Sequence, residues 1–285
     1  MDILARDELL QKASGPKVVP TVAKKVLDMV RRDNSSIAQL CGIVEKDQTL
    51  TAGVLKIANS AFYGLPQEVT SLKQAIIVLG FNAIRDLIIT ISTKSQYKRF
   101  GITEQLLWDH SIGAAIACRL FARGQGAEVE EVAFLCGMMH DFGKVIMNNE
   151  CPLGFVEAMQ TIYNEGTDSL SAEQEVFGYT HTEIGSMIVE KWEFPPVLSR
   201  TMACHHLHTC SLVDFEDRTI AKAVACSHLA DNACKVLGIG FRSPDESIIL
   251  DDLPSAAFLG FAGEGLDALV RQVNKTYAAE KTVFQ

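Results

Sequence analysis

Residues 136–145 read CGMMHDFGKV and set a histidine and an aspartate side by side, His140 and Asp141, in an otherwise apolar run. From Val132 to Met147 apolar residues fall on every side at helical spacing, which predicts one continuous buried helix. An ionised carboxylate buried alone is costly, so Asp141 has to be protonated, paired or bound to a metal ion. Lys144, three residues on, is one local partner. The rest of the chain decides between that lone ion pair and a larger cluster.

Helical periodicity runs through nearly all of the sequence. Val22, Val26, Met29 and Val30 share one face of a stretch beginning at Thr21, while Lys24, Lys25, Arg31 and Arg32 fall mostly off it and are expected in solvent. NSSIAQLCGIVEKD (34–47) opens on N-cap residues and carries Ile37, Leu40, Ile43 and Val44 at helical spacing. SLKQAIIVLGFNAIRDLIITI (71–91) continues the pattern, with Gly80 as an internal turn. No stretch alternates apolar and polar residues for long, and no Asn-Gly or Asp-Gly hairpin turn occurs. The prediction is an all-α fold. A polar, basic link, STKSQYKRFGIT (92–103), separates an N-terminal helical bundle, residues 1–100, from a second helical domain, residues 101–285.

Composition bounds the function. At 48% hydrophobic and 21% charged residues, the 285-residue chain can bury one or two ordinary cores. A net charge of -9 argues against a broad nucleic-acid surface, which needs clustered lysine and arginine. MDILARDELL has acids where a signal peptide is basic, and the best apolar run, 75–81, is far too short to cross a bilayer. Eight cysteines without a C-x-x-C pair indicate neither a zinc ribbon nor a disulfide framework. The expectation is a reduced, cytoplasmic protein without a membrane partner, and Cys204 is read as a small core residue.

Four further helices carry polar residues on apolar faces. His110 shares a face with Ala114, Ala117 and Phe121, whereas Arg119 lies roughly 180° away, so His110 points inward. Thr180 and Glu183 form a T-x-x-E capping box, which places His181 in the first turn of a helix, in line with Ile184, Ile188 and Trp192. His205 and His206 end the next helix. Asp231 lies on a stripe with Ile220, Val224, Ser227 and Cys234, in a helix that Gly238 closes. His228 reads as an ordinary surface or core histidine, and no spacing ties His208 or Cys210 to a site. Several imidazoles and two carboxylates facing inward from different helices are the nitrogen and oxygen donors that zinc, iron or manganese sites use.

The order His110, His140-Asp141, His181, His205-His206, Asp231 resembles the HD superfamily of metal-dependent phosphohydrolases. VVPTVAKKVLDMV (18–30), IVEKDQTLTAGVLKIANSAFYG (43–64), SLKQAIIVLGFNAIRDL (71–87), LLWDHSIGAA (106–115) and EKWEFPP (190–196) resemble the HDOD family, an HD-related output domain of bacterial signalling proteins. The resemblance implies a helical N-terminal bundle followed by an HD-like bundle holding one or two divalent ions (iron, manganese, zinc or magnesium). Asp141 would bridge two ions, with His110, His140 and Asp231 serving one and His181, His205 and His206 the other.

Metal-assisted cleavage of a phosphoester or nucleotide would follow, with Lys144 stabilising transition-state charge. A non-catalytic module that binds a nucleotide or a signalling partner is the alternative. Two departures narrow the first reading. HHLHTCSLVDFEDR (205–218) lacks the G-Y-P element of relatives that hydrolyse cyclic di-GMP, which argues against that activity. Leu106 stands where some trinuclear relatives carry glutamate, which favours one or two ions. A DNA-binding reading of 71–87 as a helix-turn-helix is weak, because its second helix offers only Arg85 as a basic residue.

Overall fold

The computed structural model describes residues 3–13, 21–31, 36–61, 63–98, 100–207 and 210–284, of which 21, 27, 28, 30 and 31 are described by their backbone alone. The side chains of Val30 and Arg31, and residues 18–20, Arg32, Asn34, Ser35 and His208 altogether, lie outside that description. Every regular element described is helical. The first six are α1 (Arg6–Ala13), α2 (Thr21–Arg31), α3 (Ile37–Val44), α4 (Gln48–Ala58), α5 (Leu72–Leu79) and α6 (Phe81–Lys94). After the link come α7 (Ile102–Phe121), α8 (Ala127–Met139), α9 (Phe142–Glu150), α10 (Pro152–Glu165), α11 (Ser169–Phe177) and α12 (His181–Lys191). The chain continues through α13 (Pro196–Cys204), α14 (Arg218–Leu237), α15 (Pro254–Leu259) and α16 (Gly263–Phe284).

Local chemistry sets the helix ends that matter. Ser36, Asp47 and Ser71 each accept an N–H of the first turn of the helix they precede. Gly80, at φ 88°, makes the turn between α5 and α6 that the sequence predicts. Thr180 and Glu183 close their capping box on α12, and Gly238 ends α14 in the left-handed conformation.

The centre of the molecule is α7, α8 and α14 packed together, with α13 against α8 and α14 and with α12 bridging α13 and α9. Helix α6 leans on α8, α16 on α7, and α1 on α9 and α12. Where α6 meets α8, Arg85 is buried and pairs with Asp86 at 2.8 Å while donating to the Glu131 carbonyl at 2.9 Å. Arg85 therefore joins two layers of the fold and presents no charge to a DNA backbone.

One expectation fails. His140 and Asp141 do not lie inside one helix: α8 ends at Met139 and α9 starts at Phe142. Both helices are buried on nearly all sides, so apolar periodicity runs straight through the break and hides it. The break lets His140 and Asp141 leave the helix axis together and face the same cavity.

Candidate metal centre

The break, the start of α12, the end of α13 and the middles of α7 and α14 converge on one point. His140, His181 and His205 are fully buried, and His110, Asp141 and Asp231 nearly so. His206 keeps 11% of its side chain exposed. All the histidines and both carboxylates singled out in the sequence are thus brought together.

Hydrogen bonds fix the imidazoles. The Nδ1–H of His140 donates to the Gly137 carbonyl at 2.7 Å, that of His205 to the Met202 carbonyl at 3.0 Å, and that of His110 to the Ile239 carbonyl at 3.3 Å. A carbonyl oxygen only accepts, so the proton in each pair sits on Nδ1 and the Nε2 lone pair is left to face inward. His181 gives its Nδ1–H to Glu173, at 2.7 and 2.9 Å from the two carboxylate oxygens. The Nε2 atoms then crowd one another. His110 and His140 stand 3.1 Å apart, His181 and His206 3.1 Å, and His181 and His205 3.4 Å.

Asp141 divides this set. Its Oδ1 lies 3.2 Å from His181 Nε2 and 3.5 Å from His205 Nε2, and its Oδ2 lies 3.6 Å from the Nε2 of both His110 and His140. Oδ1 is buried and makes no hydrogen bond among the described residues. A buried carboxylate oxygen that receives no hydrogen bond, facing imidazole lone pairs, is what a cation satisfies, and nitrogen with carboxylate oxygen is a set of ligand atoms that divalent metals use. Ligand atoms of Asp141, His181, His205 and His206 lie within 4.8 Å of one another, as do those of His110, His140 and Asp141. The residues fit a metal ion.

Charge is partly balanced by lysines. Lys144 meets Asp141 Oδ2 at 2.8 Å, so the local pairing read from the sequence exists alongside the cluster. Lys235 meets Asp231 Oδ2 at 2.7 Å, and Asp231 Oδ1 lies 3.2 Å from His110 Nε2. Burial pushes both carboxyl groups up. Lys144 and His140 around Asp141, and Lys235 and His110 around Asp231, outweigh it and hold both well below the usual carboxylate range. Burial pushes His140 down to about 3 and also lowers His205 and His206. His181 is the exception: burial lowers it, but Glu173 and Asp141 more than compensate.

Three contributors escape the sequence reading. Glu173, on α11, faces the site from eight residues before His181, and its one sequence signal is that it shares a face with buried Phe177, four residues on. Lys235 lies one turn beyond Asp231. Phe241 stands edge-on to His110 with ring centroids 5.0 Å apart. His228 is buried and hydrogen-bonded to Ser255 at 2.8 Å.

The expectation of cysteines without disulfides is corrected. Cys204 and Cys210 form a disulfide, and Cys204 is therefore a cross-link rather than a plain core residue. The bridge spans the turn that carries His205 and His206, in which Leu207 is left-handed at φ 57°. The other six cysteines are free and buried. A groove of about 890 Å³ reaches the cluster at His206.

The HDOD domain matches residues 17–208 of this sequence. The chain belongs to the HDOD family. An HDOD domain protein of unknown function from Geobacter sulfurreducens has the same fold, with a TM-score of 0.78 at 24% identity over 93% of this chain and 92% of that one. A Shewanella amazonensis SB2B protein, whose name proposes phosphohydrolase activity, superposes with a TM-score of 0.71 at 21% identity over 97% and 98% of the two chains. An uncharacterized protein of Treponema pallidum (strain Nichols) is 21% identical over 66% of this HDOD chain, a match that spans 37% of the relative's own length. Among the described residues no helix is long and apolar enough to cross a membrane.

Proposed function

We propose that this HDOD protein is a metal-dependent phosphohydrolase of bacterial signalling that acts on a phosphoester or nucleotide. One observation carries the reading: inward-facing Nε2 atoms gather on the two oxygens of Asp141, and one of those oxygens is buried without a hydrogen-bond donor. His181, His205 and His206 with Asp141 Oδ1 would hold one ion, and His110 and His140 with Asp141 Oδ2 a second, with Asp231 behind His110. When bound there, such an ion would polarise a phosphoryl oxygen and make water a stronger nucleophile at neutral pH.

The chain's own residues supply the rest. Lys144 keeps a positive charge beside Asp141, placed to stabilise phosphoryl oxygens as their charge grows. Burial of the imidazoles excludes bulk water and strengthens those interactions. The groove at His206 is the approach route. Among the described residues its wall carries Asp168, Glu175 and Glu183 and no lysine or arginine, so it favours the uncharged or cationic end of a substrate and leaves the phosphate to the cluster.

A second reading is a regulatory module that binds without turnover. It is favoured by the two lysines, which already neutralise both buried carboxylates. A panel of phosphodiesterase and nucleotidase substrates, run with manganese, iron, zinc or magnesium, separates the two. Metal-dependent turnover that disappears in Asp141→Ala supports the enzyme. Metal uptake without turnover across the panel supports the module, and no uptake removes both.

A further inference from the structure

Glu173 is a carboxylate with only 2% of its surface exposed. One oxygen accepts the backbone N–H of His181 at 2.7 Å, and both oxygens reach the His181 Nδ1. His181 is the first residue of α12, and a first-turn N–H has no partner inside its own helix. Glu173 therefore satisfies the helix end and fixes the imidazole with the same carboxylate. Of the four anchored rings, His181 alone gives Nδ1–H to a carboxylate; the other three give theirs to neutral carbonyls. A carboxylate behind a ligating imidazole fixes its tautomer and makes Nε2 a stronger donor.

The opposite half of the cluster is arranged differently. There Lys144 holds Asp141 Oδ2, the oxygen that faces His110 and His140, so an ammonium group already stands against the carboxylate of that half. The His181 half has the unpartnered Asp141 Oδ1 in front and the Glu173 charge behind. Coulomb attraction in a buried site then favours a cation on the His181 side.

Resting on the metal-site reading above, we propose that Glu173 is a positioning residue that makes the His181 side the tighter and first-filled of two cation positions. The test is calorimetric titration of manganese into the metal-stripped full chain, comparing wild type with Glu173→Gln and His110→Ala. Gln keeps an acceptor for the imidazole but removes the charge. Wild type is expected to fill in two steps, and Glu173→Gln to weaken the tight step by about 10-fold or more while leaving the weak one unchanged. His110→Ala should remove the weak step and spare the tight one.

An unaltered tight step in Glu173→Gln, equal weakening of both steps, or loss of the tight step in His110→Ala overturns the proposal. A second measurement needs no variant: nitrogen-15 spectra of zinc-loaded wild type should show a slowly exchanging proton on His181 Nδ1, and its absence is equally fatal. Failure of the metal reading looks different, because wild type would then take up no ion at all and this inference would fall with it.

Discussion

Gly143 of α9 rests against the carbonyl oxygen of His181, so close that a methyl group on Gly143 would overlap that oxygen. The glycine follows the His140-Asp141 break by two residues, and His181 starts α12. Their approach brings the Asp141 carboxylate within reach of the His181 ring. Gly143→Ala has to push two backbones apart, since neither side of the contact is a flexible side chain. Destabilisation of about 3 kcal/mol in urea unfolding is expected, together with loss of any rise in melting temperature on adding manganese. Wild-type stability and metal response in this variant would mean that α9 and α12 separate without harm to the cluster.

Lys144 and Asp141 form a buried pair, and removing one partner strands the other. Lys144→Met should cost about 3 kcal/mol in metal-free protein. Added manganese should then recover more stability in the variant than in wild type, because a cation takes over the lost countercharge. Turnover on any substrate found should fall nonetheless. A metal response smaller than wild type would show that Lys144 supports the site instead of competing with the cation for Asp141.

Asp86 pairs with Arg85 on α6, and burial pushes its carboxyl up to about 6 against the pull of Arg85. The unfolded chain releases this proton near the ordinary aspartate value of about 4. Between those values the folded protein holds more protons than the unfolded chain, so Asp86 makes stability fall as pH rises through the window. Above it the contribution is constant. Asp86→Asn should flatten that part of the pH profile of urea unfolding, and an unchanged slope would show that Asp86 is charged throughout.

The Cys204–Cys210 bridge closes a short loop around two of the proposed ligands. Loop-closure entropy assigns a loop of this length about 2 kcal/mol. Cys210→Ser, or reduction of wild type, should lower unfolding stability by that amount and weaken metal uptake through the freed His205-His206 turn. Equal melting temperatures with and without reductant would indicate that the turn is held by its packing alone.

What could be read from the sequence was local. Helical rotation between His110 and Arg119 turns the histidine inward whatever surrounds it, and Thr180 with Glu183 marks the start of α12 by its own hydrogen bonds. Inward-facing imidazoles and carboxylates on five segments already suggested one metal cluster, and the family resemblance added the roles of the individual ligands. The helix break at Asp141 stayed hidden because apolar residues surround both flanking helices, so periodicity has no polar face to interrupt. Glu173 stayed hidden for another reason. It meets His181 across the Gly178 turn, and no spacing rule links residues on either side of such a corner. The disulfide was equally silent, since six residues of separation match no metal or redox motif.

Asp141 turns one oxygen to each half of the cluster, and that division has a thermodynamic consequence. Two cations held by a single carboxylate would not have independent affinities. Whatever occupies one half alters the electron density offered to the other, and reciprocity requires the influence to be equal in both directions. The tight step is therefore read with the second half empty and the weak step with the first half filled, and the pair answers as a single instrument with two keys.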